Sequence, residues 1–404
     1  MTLIIAVMSA GLAALIILFK VVVSISKTVQ KYKKLLNLPN VSTFVKYCGE
    51  DWRNSAFLGN FAIIMKIIVA IDSFKGCLTS AEANQAAAEG IRQKMPDAEV
   101  IQIPVSDGGE GWLEAFQSAK GGRLVDVSVN DPLMRPVVAQ YLVQGDTAVI
   151  EMAKASGLTL LAPEERNPMA ASSYGTGQLV ADALSRGCRH IIVGLGGSAT
   201  SDCGIGMLRA IASPPPADVR FTIATDVTNP LCGENGAAHV FAPQKGASPE
   251  MVLALDARAR QFAERSALRF GYDRQNQPGA GAAGGLGYAF MQYLNADCRP
   301  GIDLLLDAVG FGDVLRGAHH VVTGEGSADR QTLMGKLPFG ILRRARQHHV
   351  PVTLIAGRIN DSQALLDAGF ARVECINPPG LPLEQAMKPE TARGNILTLL
   401  QKLF

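Results

Sequence analysis

The run Lys66-Ile67-Ile68-Val69-Ala70-Ile71 is apolar after its first residue, and Asp72-Ser73-Phe74-Lys75-Gly76 follows it directly. A strand with no polar alternation has to be covered on both faces, which is the situation of a parallel sheet flanked by helices. The same order of residue types recurs along the chain. Val100-Ile101-Gln102-Ile103-Pro104 leads to Ser106-Asp107-Gly108-Gly109-Glu110-Gly111, and His190-Ile191-Ile192-Val193 leads to a glycine-dense loop, Gly194 to Gly206. Phe221 to Thr225 leads to Asp226-Val227-Thr228-Asn229-Pro230-Leu231, and His320 to Thr323 leads to Gly324-Glu325-Gly326-Ser327-Ala328-Asp329. In open α/β sheets ligands bind beyond the carboxyl ends of the strands, so these turns are where chemistry is expected. One Gly-Asp turn is accounted for by turn geometry alone; recurrence after successive apolar strands points beyond it.

Thr79-Ser80-Ala81-Glu82 has capping-box spacing and predicts a helix to about Met95. Helical spacing also covers Trp112 to Ala119 and Gly175 to Arg186. Between Arg123 and Glu151 the pattern changes to β segments joined by turn residues, at 124–127, 137–143 and 147–151, which predicts a mixed or antiparallel insert. The expected architecture is two α/β domains. One is a Rossmann-like parallel domain built from 65–122 and 288–404, the other a second, mixed α/β domain from 123–287.

With 404 residues, 48% hydrophobic and 18% charged, the chain can bury a large core. A net charge of +2 leaves no basic field of the kind nucleic-acid binding needs, so that class of function is set aside. The seven cysteines are scattered without Cys-x-x-Cys spacing, which predicts reduced thiols and a cytoplasmic catalytic part rather than a disulfide framework or zinc site. The pairs His319-His320 and His348-His349 read as surface or strand-edge histidines, because adjacent residues point in different directions and make poor joint ligands.

Residues 1–64 differ in character. From Thr2 to Phe19 there is no charge, and after Lys20 the apolar run continues through Ile25, long enough for a membrane-spanning helix over about 2–25. Lys27, Lys31, Lys33 and Lys34 follow, which places the basic side and all that comes after it in the cytoplasm. A signal peptide fits less well, since its basic residues would come first. Two readings stay open: a genuine anchor giving membrane association, or an extension ahead of a working start at Met65.

The loop Gly194-Leu195-Gly196-Gly197-Ser198-Ala199-Thr200-Ser201-Asp202 is the strongest chemical signal. Small residues let backbone amides approach a phosphate, and Ser198 and Thr200 add hydroxyl donors. There is no Gly-x-x-x-x-Gly-Lys-Ser/Thr run here, so an ordinary P-loop is excluded. Gly194-x-Gly196-x-x-Ala199 meets a relaxed dinucleotide fingerprint, but the acidic residue due some 20 positions on is missing, Asp226 lying well beyond it. Acids at strand ends, glycine loops and the lysines Lys75, Lys245 and Lys336 together suit Mg²⁺ and polyphosphate held against a small acceptor. A phosphotransferase is expected.

Taken in order, Asp72-Ser73-Phe74-Lys75-Gly76, Asp107-Gly108-Gly109-Glu110-Gly111, Ile150-Glu151-Met152-Ala153, Gly196-Gly197-Ser198-Ala199-Thr200, Asp226 to Leu231, Pro243-Gln244-Lys245-Gly246-Ala247, Gly279 to Gly285, and Thr323-Gly324-Glu325-Gly326 with Gln331 to Lys336 resemble the bacterial glycerate kinases. The resemblance runs from Met65 almost to Phe404. It implies transfer of the ATP γ-phosphoryl group to D-glycerate, giving 2-phosphoglycerate, with Mg²⁺, in a cleft between two α/β domains. From residue type and loop position, Asp202 is expected as general base or hydroxyl-orienting group, with Asp107 and Asp226 as rivals for that role or as Mg²⁺ ligands. Lys75, assisted by Ser73, is expected to contact phosphate or the glycerate carboxylate. Gly196, Gly197, Ser198, Thr200 and Lys245 form the expected phosphate cradle, while Glu325, Asp329 and Lys336 hold metal, nucleotide or phosphate.

The chain also departs from the pattern it resembles. Ser201-Asp202-Cys203 replaces the usual Asn-Asp-Gly, Ser327 replaces a basic residue, and Arg330 takes a position often serine. The connection near 211–217 is shortened, with Ser213-Pro214-Pro215-Pro216 predicting an extended linker in place of a strand. Two alternative functions follow: a nucleotide-binding relative impaired in catalysis by that shortening, and, third, a nicotinamide-dependent oxidoreductase.

Overall fold

The computed structural model describes residues 64–106, 108–109 and 111–404. The helix expected over 2–25, Cys48 and Asp107 lie outside the described residues. Among the described residues no helix is long and apolar enough to cross a membrane. Residues Ile64–Leu403 form one compact unit.

Its eleven strands make two sheets. The first contains β1 (Lys66–Ile71), β2 (Glu99–Gln102), β9 (His320–Ala328), β10 (Val352–Ile359) and β11 (Arg372–Cys375), in spatial order β11-β10-β9-β1-β2 with every neighbour parallel. Five of the six β1 residues are buried, as the unbroken apolar run requires. The second sheet contains β3 (Arg123–Asn130), β4 (Pro136–Gln144), β5 (Thr147–Glu151), β6 (His190–Gly194), β7 (Arg220–Ala224) and β8 (Asp297–Arg299), side by side in chain order. β3, β4 and β5 pair antiparallel and β5 through β8 pair parallel, so the sheet is mixed as the insert pattern predicts. It runs past residue 287, where the sequence placed a boundary. Asp297–Arg299 carries no apolar run to announce a strand, and becomes one by pairing with Thr222–Ala224.

Two helices, Trp112–Lys120 and Gly301–Ala308, serve both sheets. Trp112, Leu113, Phe116 and Leu305 share one core with Ile68 and Val321 of the first sheet and with Val149 and Ile192 of the second. The opposite face of the second sheet packs Ile150, Ile191 and Val193 against Leu179, Met207 and Phe290 from three covering helices. On the far side of the first sheet, helices Ser80–Lys94 and Pro389–Leu403 lie together closely enough that a Cβ at Gly90 would come within 2.5 Å of the Leu397 carbonyl. The capping box at Thr79 and Glu82 is present, with Glu82 N donating to Thr79 Oγ1 and Thr79 N to Glu82 Oε2.

The segment after helix Ile205–Ile211 is a linker without strand structure, as its three prolines predict. β6 and β7 nevertheless pair over five register positions, from His190↔Arg220 to Gly194↔Ala224. With this linker the parallel crossover of the second sheet is complete. His320 corrects the surface reading of the histidine pairs: it is buried on β9, Nε2 within 2.8 Å of Thr353 Oγ1, and desolvation pulls its pKa down to about 4. A strand covered on both faces has no outward side for alternate residues to occupy. The six described cysteines are all unpaired.

Candidate active site

In the first sheet the chain runs outward from β1 to β2 on one side and returns on the other with β9, so β1 and β9 flank the crevice where a doubly wound sheet accepts ligands. The end of β1 is pegged in place. Buried Asn84 accepts from Ile71 N (3.1 Å), and Ser80 Oγ donates to the Ile71 carbonyl (2.6 Å) while accepting from Val105 N (2.9 Å). Asp72 N donates to the Gly324 carbonyl and Ser73 N to Asp72 Oδ1, which fixes the first turn beyond the strand.

A cavity of about 1050 Å³ opens there. Its charged wall holds Asp72, Lys75, Asp226, Glu325, Lys336 and Arg358; its apolar wall includes Phe74, Met334, Ile376, Leu383 and Met387. Leu383 and Met334 are 76% and 77% exposed, so a large apolar surface faces solvent inside a polar rim. Such a surface in a cleft marks a ligand seat more often than a packing defect. Glu325 is buried, accepts from Thr332 Oγ1 (2.6 Å) and lies 3.6 Å from Lys336 Nζ; burial raises its pKa against the lowering effects of Thr332 and Lys336.

A second cavity of about 400 Å³ lies over the carboxyl ends of β6 and β7, and Asp226 and Val227 line both. Gly196, Gly197 and Ser198 form one wall, Gln244 and Lys245 another. Lys245 is fully buried, its Nζ donating to Ser198 Oγ (2.7 Å) and to the Thr200 carbonyl (2.7 Å). Desolvation draws its pKa down to about 7, opposed by the charge of Asp202. Gly196 is dictated by close approach, since a Cβ there would fall 2.5 Å from Gly109 Cα. The acidic glycine turn thus lies directly on the glycine loop, and Gly109 lines the same cavity.

The structure sorts the expected site residues. Ser73, Lys75, Asp226, Glu325 and Lys336 face the larger cavity; Gly196, Gly197, Ser198, Asp226 and Lys245 face the smaller. Thr200 faces neither. It is fully buried, its hydroxyl has no hydrogen-bond partner, and its contribution is the carbonyl that accepts from Lys245. Asp329 also stays outside, accepting from Gln331 N at the start of the short turn Arg330–Met334. Asp202 lines neither of these two cavities. Its oxygens accept from Ser173 N and Oγ (both 2.9 Å) and from Gly204 N and Gly206 N (both 3.1 Å), which ties the loop to helix Ile205–Ile211. An Asp202→Ala variant is expected to lose on the order of 3 kcal/mol of stability, measured by denaturant unfolding, because hydrogen bonds to a charged group are among the more valuable ones.

Asp226 Oδ1 accepts from Gly301 N (3.2 Å), the first residue of a helix whose own cap position, Pro300, supplies no side-chain bond. Sequence reading missed Arg358 and Asn377. Arg358 follows the buried run Val352–Ala356 through a glycine, the same strand-then-turn signal used elsewhere. The dinucleotide reading fails on geometry as well as spacing: β6 ends at Gly194 and the next helix begins only at Ile205, so the glycines do not open a helix. Among the described residues no group of three His, Cys, Asp or Glu could hold a metal ion by itself. Mg²⁺ commonly uses one or two carboxylates together with substrate phosphates, and the larger cavity offers two such carboxylates among its lining residues, Asp72 and Asp226.

A family model described as the glycerate kinase family matches residues 67–214 and 211–403, in two pieces that meet at the proline-rich linker. A glycerate kinase of Bacillus subtilis is 40% identical over 356 residues, covering 80% of this chain and 93% of its own. A glycerate 2-kinase of Escherichia coli K12 is 40% identical over 328 residues, covering 74% of this chain and 86% of its own. A crystal structure from Salmonella typhimurium LT2, provisionally assigned as glycerate kinase 2, superposes with a TM-score of 0.71 at 37% identity, over 84% of this chain and 97% of that one.

Proposed function

We proceed from the fact that this chain belongs to the glycerate kinase family and propose that it transfers the γ-phosphoryl group of ATP to the 2-hydroxyl of D-glycerate. The observation that carries the assignment of sites is the meeting of two unequal cavities at Asp226. The larger has the size and the split apolar and charged lining that a nucleotide requires. Its apolar residues Met334, Leu383 and Met387 would seat the base, and Lys75, Lys336 and Arg358 would take the phosphates. The smaller suits a three-carbon acid, with the carboxylate set against Lys245 and the backbone of Gly196–Ser198.

In this arrangement Asp226 stands where the acceptor hydroxyl must meet the γ-phosphate. Phosphoryl transfer asks little covalent chemistry of the protein and much positioning. Asp226 would orient the hydroxyl and accept its proton as the oxygen bonds to phosphorus and the bond to ADP breaks. Asp226 and Asp72 would hold Mg²⁺, which when bound would supply positive charge to the transferring group. The lysines and Arg358 supply the fixed positive charge that the leaving diphosphate needs. Asp202, saturated by its four donors, would hold the cradle in shape.

The test is ADP release by the purified full chain with Mg-ATP, with and without D-glycerate, and identification of the product by ³¹P NMR. Glycerate-dependent ADP and a 2-phospho ester are expected. A folded sample that binds ATP and releases no ADP would return the impaired-relative reading, and a 3-phospho ester would move the acceptor atom.

A further inference from the structure

Glu151 has no part in the scheme above, yet it pairs with the strand end from which the glycine loop departs. It ends β5, it is 3% exposed, and its Oε2 has no hydrogen-bond partner. In the sheet it stands opposite Gly194, and the next amide, Met152 N, donates to the Gly194 carbonyl (3.2 Å). Gly194 is itself pressed upon, since a Cβ there would lie 2.5 Å from the Gly108 carbonyl and 3.1 Å from the Trp112 ring. The Glu151 carboxylate lies against the Trp112 and Leu113 amides, at the start of helix Trp112–Lys120. That helix has Gly111 at its cap position and receives no side-chain cap from it, Trp112 N donating instead to the Gly109 carbonyl (3.2 Å), and the buried carboxylate lies beside this uncapped start.

We propose that Glu151 is a positioning residue for phosphoryl transfer: it grips the start of helix Trp112–Lys120 and so holds the Gly108–Gly109 turn against the glycine loop that walls the smaller cavity. The inference rests on the kinase reading of that cavity. A carboxylate buried without full pairing is costly, and a helix start could be capped more cheaply by a neutral residue. Placing it where two glycine turns touch makes the cost intelligible as a means of fixing their contact. The charged groups facing Glu151 are Lys154, whose Nζ lies 4.0 Å from Oε1, and Glu114, which pairs with Lys154 at 3.3 Å. Burial raises the Glu151 pKa to about 7, with Lys154 holding it down and Glu114 pushing it up.

Glu151→Gln keeps the shape and removes the charge. Its kcat is expected to fall by about 10- to 100-fold, the scale of a small misplacement of reacting groups, with KM for ATP nearly unchanged. Thermal stability at pH 8 is expected to equal or exceed that of the unsubstituted chain. The folded-state pKa is raised, so the folded protein holds a proton that the unfolded chain has lost, and stability falls as pH climbs from the ordinary carboxylate range to about 7. A residue that only supported the fold would move stability and activity in the same direction. Lys154→Met, at a half-exposed site, tests the same idea without touching the buried group: the acidic limb of the kcat profile should move to higher pH. Turnover of Glu151→Gln equal to that of the unsubstituted chain, or a limb unmoved by Lys154→Met, overturns the proposal. Absence of glycerate-dependent turnover in the unsubstituted chain overturns the kinase reading instead.

Discussion

An Asp226→Asn variant is expected to retain its fold and its affinity for ATP while kcat falls on the order of a thousandfold, within the range for removing a positioned acid or base. Asparagine keeps the oxygen that accepts from Gly301 N, so the helix that begins there keeps its anchor. What the substitution removes is the negative charge at a residue pair shared by both cavities. Steady-state kinetics at rising Mg²⁺ divides the two roles assigned to this carboxylate. If Asp226 chiefly holds the metal, part of the lost rate returns as Mg²⁺ is raised; if it chiefly accepts the proton, the deficit is independent of Mg²⁺. Unchanged kcat in a folded variant would remove Asp226 from the reaction altogether.

Lys245→Met is expected to lower kcat/KM for glycerate by about two to three orders of magnitude, comparable to removing one preorganised donor from an anion-binding site. KM for ATP should hardly change, because Lys245 faces only the smaller cavity. The buried ammonium also predicts a pH signature. Desolvation has drawn the folded-state pKa down to about 7, against an unfolded value of 10.5. Between those values the unfolded chain binds the proton and the folded chain does not, so stability rises with pH across that window. Unfolding free energies measured from pH 7 to pH 10 should therefore climb in the unsubstituted chain and lose that component in Lys245→Met. In catalysis the sign is opposite: the free enzyme loses its charged anchor above about pH 7, and kcat/KM for glycerate should decline there.

The features legible in the sequence are those set by one strand or turn at a time. The apolar runs that became β1, β6 and β9 announced themselves because both faces of those strands are covered, and the turns beyond them do line the cavities. The Thr79 capping box and the Pro214–Pro216 linker were equally local. Asp202 is the opposite case, because its surroundings are not local. Residue type and loop position suited a base, but its partner Ser173 is 29 residues away in the chain and claims the carboxylate through amide and hydroxyl together. Thr200 follows the same logic, since only the packed loop decides that its carbonyl, not its hydroxyl, is used. Lys245 could be picked out from its motif, yet nothing in Pro-Gln-Lys-Gly-Ala tells that the side chain is fully buried. Burial of a long polar side chain is a property of the neighbours that close over it.

The order of strands in the first sheet has a consequence for how the chain is made. Lys66 N bonds His319 Nδ1 across 253 residues, and β1 then pairs with β9 from Ile67↔His320 onward. The second sheet, by contrast, is assembled from six strands in the order in which they leave the ribosome. At about 5–20 residues per second the partner of β1 emerges roughly tens of seconds after β1 itself. The second sheet can close in that interval, while the apolar β1, with β2 as its strand neighbour, waits for its other partner. Nascent chains stalled before residue 320 should accordingly carry a finished second sheet and an uncovered β1, and should depend on a holding chaperone at that stage more than at any later one.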